Sequence, residues 1–132
     1  MVHLILDGMN VIGARPDGWW RDRPRARRRL VAQLGSALPT LGAGRLTVVF
    51  DGRPSAAEAD PASAPAEVEV LFAPGGPDAA DDVIAAMVAS AADPGGIVVV
   101  TSDARLAARV TGAGGSVEGA SGFRRRLGGD DR

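Results

Sequence analysis

Six aspartates stand where an apolar run stops or a helix begins. Asp7 follows His3-Leu4-Ile5-Leu6, Asp51 follows Arg45-Leu46-Thr47-Val48-Val49-Phe50, and Asp103 follows Gly96-Ile97-Val98-Val99-Val100-Thr101, while Asp78, Asp81 and Asp82 open a helical pattern ahead of that last run. Carboxylates brought to one place repel one another, and a bound divalent cation is the usual remedy. The sequence has no cysteine, so the donors would all be oxygen, which points to Mg²⁺ or Mn²⁺. Each aspartate also has a plainer use. Asp78, Asp81 and Asp82 can complement a helix dipole for roughly 0.3–1 kcal/mol apiece, Asp51-Gly52 is a turn sequence, and Ser102 or Asp103 suits a helix cap. Asp7-Gly8-Met9-Asn10 is more specific, because an acid followed by glycine and an amide is poor material for continuing a strand.

The missing residue types narrow the chemistry further. There is no Cys, Tyr or Lys, and His3 is the single histidine. Thiol enzymes, Schiff-base chemistry, P-loops and two-histidine mechanisms are thereby excluded, as are zinc sites built on several Cys or His residues. Neither Ser116 nor Ser121 lies in a G-x-S-x-G elbow. An enzyme of this composition would work through carboxylates and a hard metal.

All fifteen basic residues are arginines, although the net charge is only −1. Arg15, Arg21, Arg23, Arg25, Arg27, Arg28 and Arg29 form one group and Arg124, Arg125 and Arg126 a second. Guanidinium forks match phosphate oxygens and stay charged at physiological pH, so such clusters suit phosphate binding. The competing reading is a solvated face in a protein that avoids lysine.

The elements that must position these groups alternate along the chain. Continuous apolar runs, such as those before Asp51 and Asp103, indicate strands covered on both faces, as in parallel sheets. Glu67–Phe72 alternates at its start and reads as a strand nearer an edge, and Ser116–Glu118 as a short last strand. Helical spacing covers Pro24–Leu38, with arginines opposite Leu30, Val31, Leu34 and Leu38, then Asp78–Ala92 and Asp103–Val110. Strand and helix in alternation predict an α/β sandwich with βαβ crossovers, and its ligands belong beyond the carboxyl ends of the strands. Pro54–Ala66 offers little to bury and is expected to be a mobile surface loop. One domain over residues 1–127 and a flexible tail over 128–132 account for the length. The longest apolar runs are strand-sized and the N-terminus lacks a secretory signal, which places the chain in the cytoplasm without a membrane partner.

Four segments, in order, resemble the NYN family of PIN-like nucleases, and most closely its bacterial YacP-like branch: Leu6-Asp7-Gly8-Met9-Asn10-Val11-Ile12-Gly13, Val48-Val49-Phe50-Asp51-Gly52, Ala80-Asp81-Asp82-Val83-Ile84 and Val99-Val100-Thr101-Ser102-Asp103. Ser121-Gly122-Phe123-Arg124 is similar to the family's closing segment. The resemblance implies a Rossmann-like (PIN-like) three-layer sandwich on a mostly parallel sheet, and a metal-dependent endoribonuclease. It makes Asp7, Asp81 and Asp103 the metal-site acids, with Asp82 as the alternative to Asp81, Asp51 as a further acid and Asn10 as an orienting or phosphate-contacting amide. RNA becomes the expected partner, on or off the ribosome. Arg21, Arg23, Arg25, Arg28, Arg124 and Arg125 would then track its backbone, with Trp19 or Trp20 stacking on a base; one of the two indoles is expected to pack and the other to be exposed. Two departures are evident. Met9 stands where the family commonly has an aromatic, and an arginine run after Trp19-Trp20 replaces the family's first-helix pattern. The competing functions are a non-catalytic RNA- or ribosome-binding module and the toxin of a toxin–antitoxin pair; an aspartyl-phosphate phosphatase or receiver is disfavoured by the lack of lysine.

Overall fold

The computed structural model describes residues 2–128. Five strands, β1 (Val2–Asp7), β2 (Ala43–Asp51), β3 (Val68–Ala73), β4 (Ile97–Val100) and β5 (Ser116–Glu118), form one sheet in the order β3-β2-β1-β4-β5. Every pairing is parallel. The α-helices among the described residues are α1 (Gly8–Gly13), α2 (Arg23–Leu41), α3 (Ala56–Ala59), α4 (Ala79–Ser90), α5 (Ala104–Gly112) and α6 (Ala120–Leu127).

The alternation of side chains along each strand separates the core into two layers. Leu4, Leu6, Val48, Phe50 and Val100 face α1, α2 and α6, meeting Val11, Leu30, Leu34 and Phe123. Ile5, Val49 and Val99 face α4 and α5, meeting Ile84, Val88, Leu106 and Val110. The result is the expected three-layer α/β sandwich with a wholly parallel sheet. β3 and β5 lie at the edges, as their weaker apolar patterns require. No helix among the described residues is long and apolar enough to cross a membrane.

Element ends follow local chemistry. Asp22 caps α2 by accepting from the Arg25 N–H at 3.2 Å, with Pro24 in the first turn. The helix runs past the expected Leu38, through Pro39, and stops at Gly42, whose φ of 68° only glycine adopts cheaply. The tail expected from Gly128 onward falls outside the described residues beyond Gly128, which closes α6 in the left-handed conformation.

The segment Pro54–Ala66 corrects the expectation of a mobile loop. It holds α3 and a 3₁₀ turn at Pro61–Ser63, and Ser55 and Glu58 cap α3 reciprocally. Glu58 also accepts both Nε and Nη2 of Arg27 at 2.7 Å. That guanidinium is buried, lying over the Phe50 and Phe72 rings. Burial would raise the Glu58 carboxyl, but the hydrogen bonds from Arg27 and Ser55 outweigh it and hold the group below its ordinary value. Low apolar content concealed a segment fastened by one buried ion pair.

Breaking such a pair from one side strands a charge in the core. Glu58→Ala is therefore expected to cost about 3 kcal/mol or more of unfolding free energy in urea titration. Arg27→Met combined with Glu58→Leu removes both charges and should recover most of that loss. A Glu58→Ala variant as stable as the parent would contradict the assignment. The pair's contribution should be present above the ordinary glutamate pKa and fade as pH falls through the lowered one.

Candidate active site

In an open parallel sheet, a crevice opens at the carboxyl edge where consecutive connections run to opposite sides. Here that point lies between β1 and β4. Asp7 is the last residue of β1 and is only 5% exposed. Thr101, the first residue beyond β4, is buried and donates its hydroxyl to Asp7 Oδ2 at 2.9 Å. The same hydroxyl oxygen accepts the Asp103 N–H at 3.1 Å. Asp103 in turn caps α5, its Oδ1 accepting from the N–H groups of Arg105 at 2.8 Å and Leu106 at 3.3 Å. The cap expected of Asp103 is thus real, and the same residue borders the crevice.

A second set of bonds fixes the loop from the other side. Asn10 Oδ1 accepts the Ser102 N–H at 2.7 Å, and Ser102 Oγ accepts the Ala120 N–H at 2.9 Å. The β4–α5 loop is therefore tied to both α1 and α6. α1 starts immediately after Asp7 because Gly8 lets the helix lie on β2: a Cβ at Gly8 would collide with the Phe50 ring and the Val48 side chain. Gly8 is needed for close approach, not for a turn conformation. Thr101 is a positioning residue that its type alone did not single out, and the contacts of Gly8 and Ser102 go beyond the strand stop and the cap expected of them; two small hydroxyl residues directly after a buried apolar run were the available signal.

The carboxylates influence one another across the crevice. Asp7 is pushed up to about 6, first by burial; the Thr101 hydrogen bond opposes this, while Asp81, Asp51 and Asp103 raise it further. Asp81 is likewise pushed up to about 6, by burial, then by Asp103, Asp51 and Asp78, and by a hydrogen-bond contact with the Asp103 carboxyl. Asp51, at the end of β2, accepts the Ala80 N–H at 3.0 Å and so caps α4 while facing the cluster. Asp82 goes elsewhere. It pairs with Arg109 at 2.9 Å on the exposed side of α4 and α5, which distinguishes it from its neighbour Asp81. Asp78 sits at the N-cap of α4, exposed and without a side-chain cap bond.

Oxygen is the only donor in this cluster, as a hard divalent cation requires. Among the described residues no three acidic or histidine side chains are grouped tightly enough to hold an ion by themselves. Mg²⁺ retains most of its waters and needs only one or two carboxylates, so the donor set fits that class of ion. Asp7, Asp81 and Asp103 are the groups that could hold it, with Asp51 beside them. His3 is remote: its Nε2 bonds Thr47 Oγ1 at 2.8 Å, about 13 Å of strand from Asp7 at ~3.3 Å per residue.

The arginines divide. Arg27 is internal, and Arg126 pairs with Glu118 at 2.9 Å. Arg28 and Arg125 are exposed on separate elements. Arg21, Arg25 and Arg124 line a cleft with Trp19, and Arg23 lies over the Trp19 ring. Trp20 is the exposed indole at 51%, while Trp19 packs against the core.

The YacP-like NYN domain model matches residues 4–129. The crystal structure of Rae1 (YacP) from Bacillus subtilis superposes with a TM-score of 0.72 at 27% identity, covering 96% of this chain and 74% of that one. A tryptophan-to-leucine variant of the same Bacillus subtilis protein gives 0.71 at 28%, covering 96% and 75%. No curated protein matches.

A buried carboxylate with a raised pKa destabilises the fold when ionised. The penalty from Asp7 is absent below the ordinary 3.8, grows as pH rises, and is complete above about 6. Asp7→Asn keeps an acceptor for Thr101 and removes the charge, so at neutral pH in EDTA it should stabilise the protein by ~1–3 kcal/mol. Mg²⁺ should raise the melting temperature of the parent and not of the variant. A less stable Asp7→Asn protein, or an equal response to Mg²⁺, would contradict the repulsion described.

Proposed function

The chain belongs to the YacP-like NYN domain family, whose members are generally ribonucleases, and on that premise we propose that it is a metal-dependent endoribonuclease working at the crevice between β1 and β4. The observation that carries this reading is the gathering of Asp7, Asp51, Asp81 and Asp103 at one edge of the sheet, where Asp81, Asp51 and Asp103 raise the proton affinity of Asp7, and Asp103 and Asp51 that of Asp81. A protein that only bound RNA would have no use for a buried, repelled carboxylate at that point. Repulsion of this kind costs stability and suits a cation site.

Asp7, Asp81 and Asp103 would hold Mg²⁺ or Mn²⁺, with Asp51 on the flank. A bound divalent ion supplies acidified water and positive charge against the scissile phosphate. Thr101 keeps the Asp7 carboxylate aimed at the crevice and, through the Asp103 N–H, fixes where the second strand end stands. Asn10 has its carbonyl oxygen engaged by Ser102, so what it can offer an RNA phosphate oxygen is its amide N–H. No imidazole or lysine stands ready as a base. Hydrolysis by water leaves the ribose 2′-OH out of the chemistry and yields a 5′-phosphate and a 3′-hydroxyl. Arg21, Arg23, Arg25, Arg28, Arg124 and Arg125 would receive the backbone, and the exposed Trp20 would stack on an unpaired base for roughly 1–3 kcal/mol.

Purified protein should cleave single-stranded RNA in Mg²⁺ or Mn²⁺ and not in EDTA. Asp7→Asn, Asp81→Asn and Asp103→Asn should each lose roughly 100-fold or more in rate, whereas Asp82→Asn should stay within a few-fold of the parent. Full activity of Asp7→Asn in Mg²⁺ would overturn the assignment, and salt-sensitive RNA binding without turnover would leave the non-catalytic alternative. Because ionised Asp7 and Asp81 are needed, activity should fall as pH drops through about 6 at limiting metal. The midpoint should move lower as Mg²⁺ rises, since the cation competes with protons; a midpoint indifferent to Mg²⁺ would speak against carboxylate ligation.

A further inference from the structure

The arginine clusters do not form one continuous face. Arg21 from the 3₁₀ turn at Trp19–Arg21, Arg25 and Arg29 from α2, and Arg124 from α6 line a cleft of about 300 Å³ together with Trp19 and Gln33. This volume is at the lower end for a small-molecule site of roughly 300–1,000 Å³. Four guanidiniums outnumber the two carboxylates that also line the cleft, Asp17 and Asp22, and Asp22 already accepts the Arg25 N–H. Among the described residues, none of the four arginines has a carboxylate within ion-pairing distance, unlike Arg27, Arg45, Arg109 and Arg126.

Arg124 makes the imbalance specific. Its Nε is buried and has no hydrogen-bond partner, the one such side-chain atom among the described residues. Burial and repulsion from Arg15 and Arg29 depress its pKa, against an opposing attraction from Asp17. A buried guanidinium donor left unsatisfied costs stability and is expected to have a partner in the working state. The partner must be an anion with several acceptor oxygens, which describes a phosphoryl group better than a carboxylate when four forks converge.

We propose that the cleft between α1, α2 and α6 is a separate phosphate-binding site that seats one phosphoryl group of an RNA strand away from the bond being cut, with the partly buried Arg124 and the exposed Arg29 among its donors and Trp19 in its lining. The group would be either an internal phosphodiester or a 5′-terminal phosphate. The choice of RNA rests on the function proposed above, but the pocket itself does not. A phosphate held there would fix how the strand enters the acidic crevice, and a terminal phosphate would make cleavage depend on the state of the 5′ end. Arg28, Arg125 and Arg23, which were expected to share this work, do not line the cleft.

Trp19 fluorescence in a Trp20→Phe protein, full length and in EDTA, reads the pocket directly. Titration with inorganic phosphate should change the emission saturably, and Arg124→Gln should abolish the change. Phosphate should also raise the melting temperature of the parent but not of Arg124→Gln. RNA oligonucleotides with a 5′-phosphate or a 5′-hydroxyl, bound in EDTA, then separate the two sources. Tighter binding of the phosphorylated oligonucleotide, by about tenfold and lost in Arg124→Gln, assigns the end. Equal binding of both, weakened by about tenfold in Arg124→Gln with a shallower salt dependence, assigns an internal phosphate. A parent pocket that ignores phosphate, or RNA affinity untouched by Arg29→Gln and Arg124→Gln together, overturns the proposal. Phosphate binding without any metal-dependent RNA cleavage would instead retire the nuclease reading and leave the pocket standing.

Discussion

A carboxylate buried at the end of a core strand is the constraint around which this molecule is arranged. Asp7 ends β1, the central strand, with its backbone paired to β2 and packed between two apolar layers. An ionised group in that position is unfavourable unless something answers its charge. The protein answers it in part, with the Thr101 hydroxyl, and then worsens the balance by bringing Asp81, Asp51 and Asp103 toward it. Folding therefore supplies the energy that keeps the acids together, chiefly through the apolar layers on both faces of the sheet. The incomplete compensation at the edge is what the proposed cation would complete.

The opposite sign is treated in the same way on the neighbouring side of the molecule. Arg27 is buried with a matched partner and two aromatic rings, and it holds α3 and the turn that follows against the body of the domain. Arg124 is partly buried without such a partner. Two arginines from one composition thus have unrelated uses, decided by whether a carboxylate stands within reach. α1 links the two regions, since Asn10 ties it to the loop carrying Asp103 and Ile12, two residues on, lines the arginine cleft.

The strands and their burial were readable from the sequence because the apolar runs before Asp7, Asp51 and Asp103 are continuous, and only strands covered on both faces tolerate that. The placement of the acids followed from topology: parallel strands put their carboxyl ends at one edge. Asp81 and Asp82 were not separable, because adjacent residues on a helix differ only in which way each points, and that is set by how α4 packs its buried face on the sheet, which leaves Asp82 beside Arg109, 27 residues away. The contribution of Glu58 was hidden for a similar reason, since its partner lies 31 positions earlier. Thr101 and Ser102 acquired their importance from what they bridge, Asp7 to Asp103 through Thr101 and α1 to α6 through Ser102. Tertiary hydrogen bonds, rather than periodicity or composition, carried the information the sequence withheld.

Anomalous diffraction from crystals soaked in Mn²⁺ tests, without relying on activity, whether side chains distant in sequence hold one divalent ion together. A peak within coordination distance of Asp7 and bordered by Asp81 and Asp103 is the expected result. No peak at that position, or one centred on Asp82 or Asp78 instead, would contradict the account.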